Sequence, residues 1–152
     1  MIIREYRQDD LEAIVRIEER AFEVGAYTIH MLRTILHDKD SYSLVAVEGD
    51  TIAGYIVILP LDHVSADVES IAVDPDFGGR GIGKALMNQG EEWIRKRGYA
   101  YSVLEVRDRN ESAIGMYLKL GYRITEKLPD YYELEYRGSR DGYRMIKKLS
   151  SQ

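Results

Sequence analysis

Hydrophobic positions along this chain repeat first at one period and then at another, and each change of period predicts an element. "IIREY" near the start reads as a short strand. Leu11, Ile14, Ile17 and Ala21 then recur at helical spacing, with Asp9 or Asp10 placed to cap the helix. A second helix is predicted over "TIHMLRTILHD", capped by Thr28. "SYSLVAVEGDTIAGYIVILPL" holds two β-rich runs around Gly49-Asp50, the signature of a hairpin. "DVESIAV" is a third run, and it stops at Asp74-Pro75, where proline removes a backbone donor.

In the second half, Ile82, Ala85, Leu86, Trp93 and Ile94 fall on one helical face. Lys96 and Arg97 suit the negative end of that helix, and Gly98 suits its stop. Gly90 lies inside it at a cost of roughly 1 kcal/mol relative to Ala, which predicts close packing on a sheet. "YSVLEVR" is the next strand, and "NESAIGMYLKLG" the next helix, with Asn110 as cap, Ala113, Tyr117 and Leu120 on one stripe, and Gly121 ending it. Two last strands, "YRIT" and "YRMIKKL", flank a tyrosine-rich connection, "PDYYELEYRGSRD". The order β α α β β β α β α β β has no internal repeat and predicts an α/β domain with a mixed sheet, antiparallel at the hairpin and parallel near the middle.

At 152 residues and 45% hydrophobic, the chain has the size of one ordinary domain, and residues 1–152 are read as a single domain. A net charge of −5 with no long basic run lacks the footprint of a duplex-binding protein, so no nucleic-acid partner is expected. The acidic balance suits cationic substrates such as amines or basic peptides. Cysteine is absent, which removes disulfides, thiolate metal sites and a cysteine nucleophile. His30, His37 and His63 have no metal-ligand spacing, and no metal is expected. "MIIREYRQDD" has no apolar core of signal-peptide length, and no run approaches the roughly eighteen apolar residues of a membrane span. A cytoplasmic protein without a membrane partner is expected.

The densest signal is "DPDFGGRGIGKAL", residues 74 to 86, with Gly78, Gly79, Gly81 and Gly83 ahead of Lys84. A nucleotide-triphosphate loop, G-x-x-x-x-G-K-[ST], is met at Gly78, Gly83 and Lys84 but carries Ala85 where a hydroxyl must bind magnesium. G-x-G-x-x-G is not met either. What remains is a glycine-rich backbone that approaches an anion closely, leading into a helix whose first amides and dipole favour negative charge.

"SIAVDPDFGGRGIGKALM" resembles the acetyl-CoA motif of the GCN5-related N-acetyltransferases (GNAT), [QR]-x-x-G-x-[GA], matched at Gly81 and Gly83 and departing at Gly78, where the family usually has Gln or Arg. The order of elements is also the family's. "LEVRDRNESAIGMYLKLGY", "DYY" and "DGYRMIKKL" are similar to the RimI-like and archaeal enzymes that acetylate protein α-amines. The resemblance implies the GNAT fold, a mixed central sheet flanked by helices, and acetyl-CoA as co-substrate. It further implies a pyrophosphate cradle of main-chain groups at Gly79, Arg80, Gly81, Ile82, Gly83 and Lys84. Main-chain groups of Ile71, Ala72 and Val73 would pair with the pantetheine arm, and Asn110 would neighbour the cofactor while also serving as helix cap.

Acetyl transfer to an amine needs a neutral amine, stabilisation of an oxyanion and a proton for the leaving thiolate. An α-amine with pKa about 8 is roughly a tenth neutral at pH 7, a few hundredfold more than a lysine near 10.4. Glu105 in "VLEVR" matches the family's base, sharing a strand face with Val103 and Arg107; an ion pair with Arg107 is its plain structural alternative. Glu69 is the second candidate, on one face with Asp67. Tyr117 matches the tyrosine that protonates the thiolate, and the cofactor would lie against it; periodicity alone makes it a core aromatic. Tyr131 and Tyr132, facing the Glu23-to-Tyr27 segment, would line the acceptor entrance. The expected activity is sequential acetylation of protein or peptide N-termini, with an auxiliary subunit or a ribosomal-protein substrate among the implied partners. A polyamine or antibiotic acetyltransferase and a non-catalytic acetyl-CoA sensor are the alternatives.

Overall fold

The computed structural model of the chain describes residues 1–149. Its elements are β1 (Ile2–Glu5), α1 (Leu11–Ala21), α2 (Ile29–Leu36), β2 (Tyr42–Glu48), β3 (Thr51–Pro60), β4 (Ser65–Val73), α3 (Ile82–Lys96), β5 (Tyr101–Arg107), α4 (Glu111–Lys119), β6 (Arg123–Leu128) and β7 (Gly142–Lys148). That is the order the periodicity predicts, with 3-10 turns added at Gln8–Asp10 and Pro75–Phe77. The seven strands form one sheet in the order β1-β2-β3-β4-β5-β7-β6, and β4 with β5 is its parallel pair.

Strand alternation sends neighbouring residues into two cores. Ile56, Ile58 and Leu104 meet Ile82, Leu86, Met87 and Ile94 of α3 on one face. Tyr55, Val57 and Val45 meet Ile14 and Ile17 of α1 and Leu32 of α2 on the other. Gly90 sits where α3 presses on β3: a Cβ there would lie 2.8 Å from Cδ1 of Ile58 and 3.2 Å from Cδ1 of Ile56. Gly90→Ala therefore sets overpacking of about 1–3 kcal/mol against a helix-propensity gain of about 1 kcal/mol. A net loss of about 1 kcal/mol is expected, read as a lower denaturant midpoint; a stabilised variant would show that Ile58 yields freely.

Thr28 and Asn110 cap as expected, accepting from the N–H groups of Met31 and Ala113 at 3.2 Å each. Asp10 does not cap α1. It already has helical φ and ψ, so its carboxylate turns back to the preceding turn. There it accepts the Arg7 N–H at 2.7 Å and a two-pronged contact from Arg4 at 2.8 and 2.9 Å.

Two irregularities of β4 prepare the site. It pairs with β5 only at Ser65↔Tyr101, Ala66↔Ser102 and Asp67↔Val103, after which the strands part and the β5 side of residues 68–73 is open. On its other side Ser70 pairs with Val57 and Val68 with Ile58, which leaves Glu69 as the extra residue of a bulge.

Candidate active site

Gly79 and Gly81 both have left-handed φ, 76° and 79°. A Cβ on either would meet nothing within 4 Å, so the need for glycine here is conformational and not steric. Successive residues of this kind turn their N–H groups inward as an anion-binding concavity. Among the described residues no acceptor is found for the N–H groups of Gly79, Arg80, Gly81, Ile82, Gly83 and Lys84. Six consecutive free donors at the start of a 15-residue helix are suited to a diphosphate. Gly83 lets α3 begin against α4, since an added Cβ would stand 3.3 Å from Sδ of Met116.

This loop, Ile71, Ala72 and Val73 on the open stretch of β4, and Asn110 and Tyr117 line one cavity of about 440 Å³. The Arg80 side chain stacks its guanidinium over Phe77, 5.0 Å from the ring centre, which leaves its backbone N–H as the group it adds to the loop. Lys84 lines both this cavity and an adjoining groove that Lys119 also borders.

Tyr117 is buried on the α3 side of the sheet, edge-on to Tyr122 with ring centres 5.9 Å apart. No hydrogen-bond partner is found for its hydroxyl among the described residues. Burial first, and Tyr132 second, push the phenol above its ordinary range, so it keeps its proton throughout the neutral region.

Glu105 lies on the opposite face. Leu104 and Val106 enter the α3 core, so Val103, Glu105 and Arg107 turn toward α1 and α2. Arg107 is not the partner of Glu105. The β5–β7 register sets Arg144 opposite it, with Nε donating to the carboxylate at 3.1 Å while Nη1 donates to Glu126 at 2.8 Å. Arg107 instead stands over the Tyr132 ring at 4.1 Å and donates to the Leu134 carbonyl at 2.7 Å. Its other nitrogen would lie 3.1 Å from a Cβ on Gly25, so this one guanidinium reaches both the α1–α2 loop and the β6–β7 loop.

Glu69 accepts from the Tyr27 hydroxyl at 3.2 Å. Tyr131 is exposed, and after burial the charge of Glu105 is the chief influence raising its phenol, with Asp67 and Glu69 also contributing. Tyr132 meets Tyr131 edge-on at 5.0 Å and lies inward, its phenol pushed up to about 12 by burial first. The two tyrosines therefore face different surroundings. Tyr132 is near enough to both faces to raise the Tyr117 phenol and to be raised in turn by Glu105. His30, His37 and His63 are exposed, and no metal-ligating group of three occurs among the described residues.

Sequence reasoning did not single out Asp67 or Arg144. Asp67 occupies the last parallel pair with β5. Its carboxyl is raised to about 9, by burial first, then by hydrogen bonding with Glu69 and the charges of Glu105 and Glu69, against a smaller opposing effect of Arg144. A folded-state value above the unfolded one means that stability is greatest at low pH and is lost as pH rises from 3.8 toward about 9. Asp67→Asn is expected to remove that loss, giving a higher denaturant midpoint than wild type at pH 8 and little difference at pH 4, measured by denaturant unfolding at both. Equal effects at the two pH values would mean that Asp67 is ionised in the folded protein. Its i, i+2 spacing with Glu69 was visible; its crowding by Glu105 depends on the strand pairing.

Comparison with known proteins agrees with this geometry. The model of the acetyltransferase (GNAT) family matches residues 11–122. An uncharacterized N-acetyltransferase of Methanocaldococcus jannaschii is 34% identical over 149 residues, 97% of this chain and 92% of its own. The ribosomal-protein-S18-alanine N-acetyltransferase of Escherichia coli superposes with a TM-score of 0.90 at 26% identity, over 99% of this chain and 95% of that one. Ard1 from Thermoplasma volcanium gives 0.88 at 28% identity, over 99% and 98%. Its sequence and its split, mixed sheet both assign this chain to the acetyltransferase (GNAT) family.

Proposed function

We propose that this protein, as one domain over residues 1–152, moves the acetyl group of acetyl-CoA directly to the α-amine of protein or peptide N-termini in the cytoplasm. Acetyl-CoA fits the cavity: the six free amides suit its diphosphate, Ile71, Ala72 and Val73 offer an unpaired strand edge to its pantetheine arm, and Asn110 flanks it. Bound there, it supplies an acetyl group activated as a thioester.

The chain's own residues divide the remaining work. Glu105, oriented by Arg144, takes a proton from the incoming ammonium, directly or through a water. Tyr117 holds the proton that the departing sulfur needs, and burial keeps that proton on the phenol until the thiolate develops beside it. Glu69 is the second choice for the base; its carboxylate already serves Tyr27. Tyr27, Tyr131 and Tyr132 form the acceptor walls.

The observation that carries the α-amine reading is the acceptor side itself, where carboxyl groups of Glu105, Asp67 and Glu69 stand with Tyr131 at its edge. End-to-end likeness to an enzyme named for the S18 alanine and to Ard1 supports it, and favours a ribosomal-protein substrate or an auxiliary subunit as the partner. Incubation with acetyl-CoA and matched peptides bearing free or blocked N-termini tests the reading. Acetylation confined to free α-amines supports it, turnover of small amines alone replaces it with the small-amine reading, and binding without turnover with the sensor reading.

A further inference from the structure

Glu18 is a buried carboxylate that none of the chemistry above uses. It is 1% exposed, it stands in the last turn of α1 where the helix dipole disfavours an anion, and no cation pairs with it among the described residues. Arg20, two residues on, is engaged with Asp74 and Asp76. Burial raises the Glu18 carboxyl above its ordinary range, which adds to the cost of keeping it charged.

What it touches gives the cost a purpose. One oxygen accepts the backbone N–H of Tyr27 at 2.9 Å, and the Tyr27 hydroxyl reaches Glu69. The other accepts the Tyr55 hydroxyl at 2.7 Å, and Tyr55 is joined to Ser70 at 2.6 Å. Tyr55 has one proton to give, so with Glu18 ionised the Ser70 hydroxyl is the donor of that last bond. Two chains from one side chain thus converge on Glu69 and Ser70, consecutive residues at the β4 bulge. A carboxylate can hold both donors at once through separate oxygens, which an apolar residue cannot.

We propose that Glu18 is a positioning residue for the acceptor side, fixing the α1–α2 loop at Tyr27 and the β4 bulge at Glu69 in one arrangement that receives the amine. The assignment rests on the reading of this face as the amine side. It predicts effects on the amine and not on the coenzyme, whose cradle lies beyond Val73.

Steady-state kinetics on the full chain, using whichever amine the wild type acetylates, tests it. Glu18→Ala is expected to raise the acceptor KM about tenfold with the acetyl-CoA KM within about twofold, and Glu18→Gln, which keeps an oxygen for the Tyr27 N–H, to stay within about threefold of wild type. Tyr27→Phe leaves the Glu18 bonds in place and is expected to raise the acceptor KM about fivefold without a lower Tm, which keeps the test open should Glu18→Ala fail to fold. The double variant is expected to be no worse than Glu18→Ala alone. Additive effects, equal rises in both KM values, or a fall in Tm without any kinetic change would overturn the proposal.

Should no amine be turned over, the acceptor reading fails on its own, and hydrogen exchange decides about Glu18. In Glu18→Ala, exchange at the amides of residues 25–28 is expected to quicken about tenfold with α3 unchanged. Uniform quickening, or none, overturns the positioning role.

Discussion

Tyr117→Phe is expected to lower kcat by about a hundredfold while the acetyl-CoA Kd stays within about twofold of wild type. The ring keeps its place in the α3 core and against Tyr122, so the substitution removes one hydroxyl and little else. That hydroxyl has no protein partner among the described residues, and it opens on the cavity that Tyr117 lines. Its loss therefore exposes no unsatisfied group, and Tm is expected to hold or rise slightly. Because burial holds the phenol above its ordinary range, Tyr117 contributes no titration below pH 10, and the pH–rate profile of the wild type should show no limb from it there. Stopped-flow or steady-state rates beside calorimetric binding of acetyl-CoA provide the check. A variant within a few-fold of wild type in kcat would assign the proton to water and return Tyr117 to the core.

Glu105→Gln should cost about as much, roughly a hundredfold in kcat/KM for the amine, again with acetyl-CoA binding preserved. Gln has the same shape and keeps an oxygen for Arg144, and Arg144 retains Glu126, so the β5–β7–β6 contacts survive and the fold is not the variable. What the substitution removes is the capacity to accept a proton, the role proposed for Glu105. A nearly normal rate would move that role to Glu69 or to solvent, and Glu69→Gln then separates those two. Both variants together should be close to the slower single one if the two groups act in one step.

Much of the architecture was written locally. Two caps, Thr28 and Asn110, the Gly49-Asp50 turn and the packing of Gly90 on β3 all came out as the sequence predicts. Each depends on residues a few positions apart or on one residue's own conformational limits. The glycine loop belongs with them, since φ at Gly79 and Gly81 is a property of those residues. Asp10 departs from the expectation for an equally local reason, since its own helical φ and ψ turn the carboxylate back to Arg7 and Arg4.

The sequence by itself determined the order of elements and the glycine turn that leads into α3, because period, caps and glycine conformations act over short stretches of chain. Tertiary structure alone decided which partner each side chain meets. Glu105 finds Arg144 thirty-nine residues away and not Arg107 on its own strand. Glu18 reaches Tyr55 thirty-seven residues away, and Asp67 is crowded by Glu105 across a strand pair. The parting of β4 and β5 is of the same kind: strand periodicity predicts each strand, but how far two strands stay paired depends on the helices packed against them and on the bulge at Glu69. Those are long-range balances of hydrogen bonding and packing that no local pattern encodes.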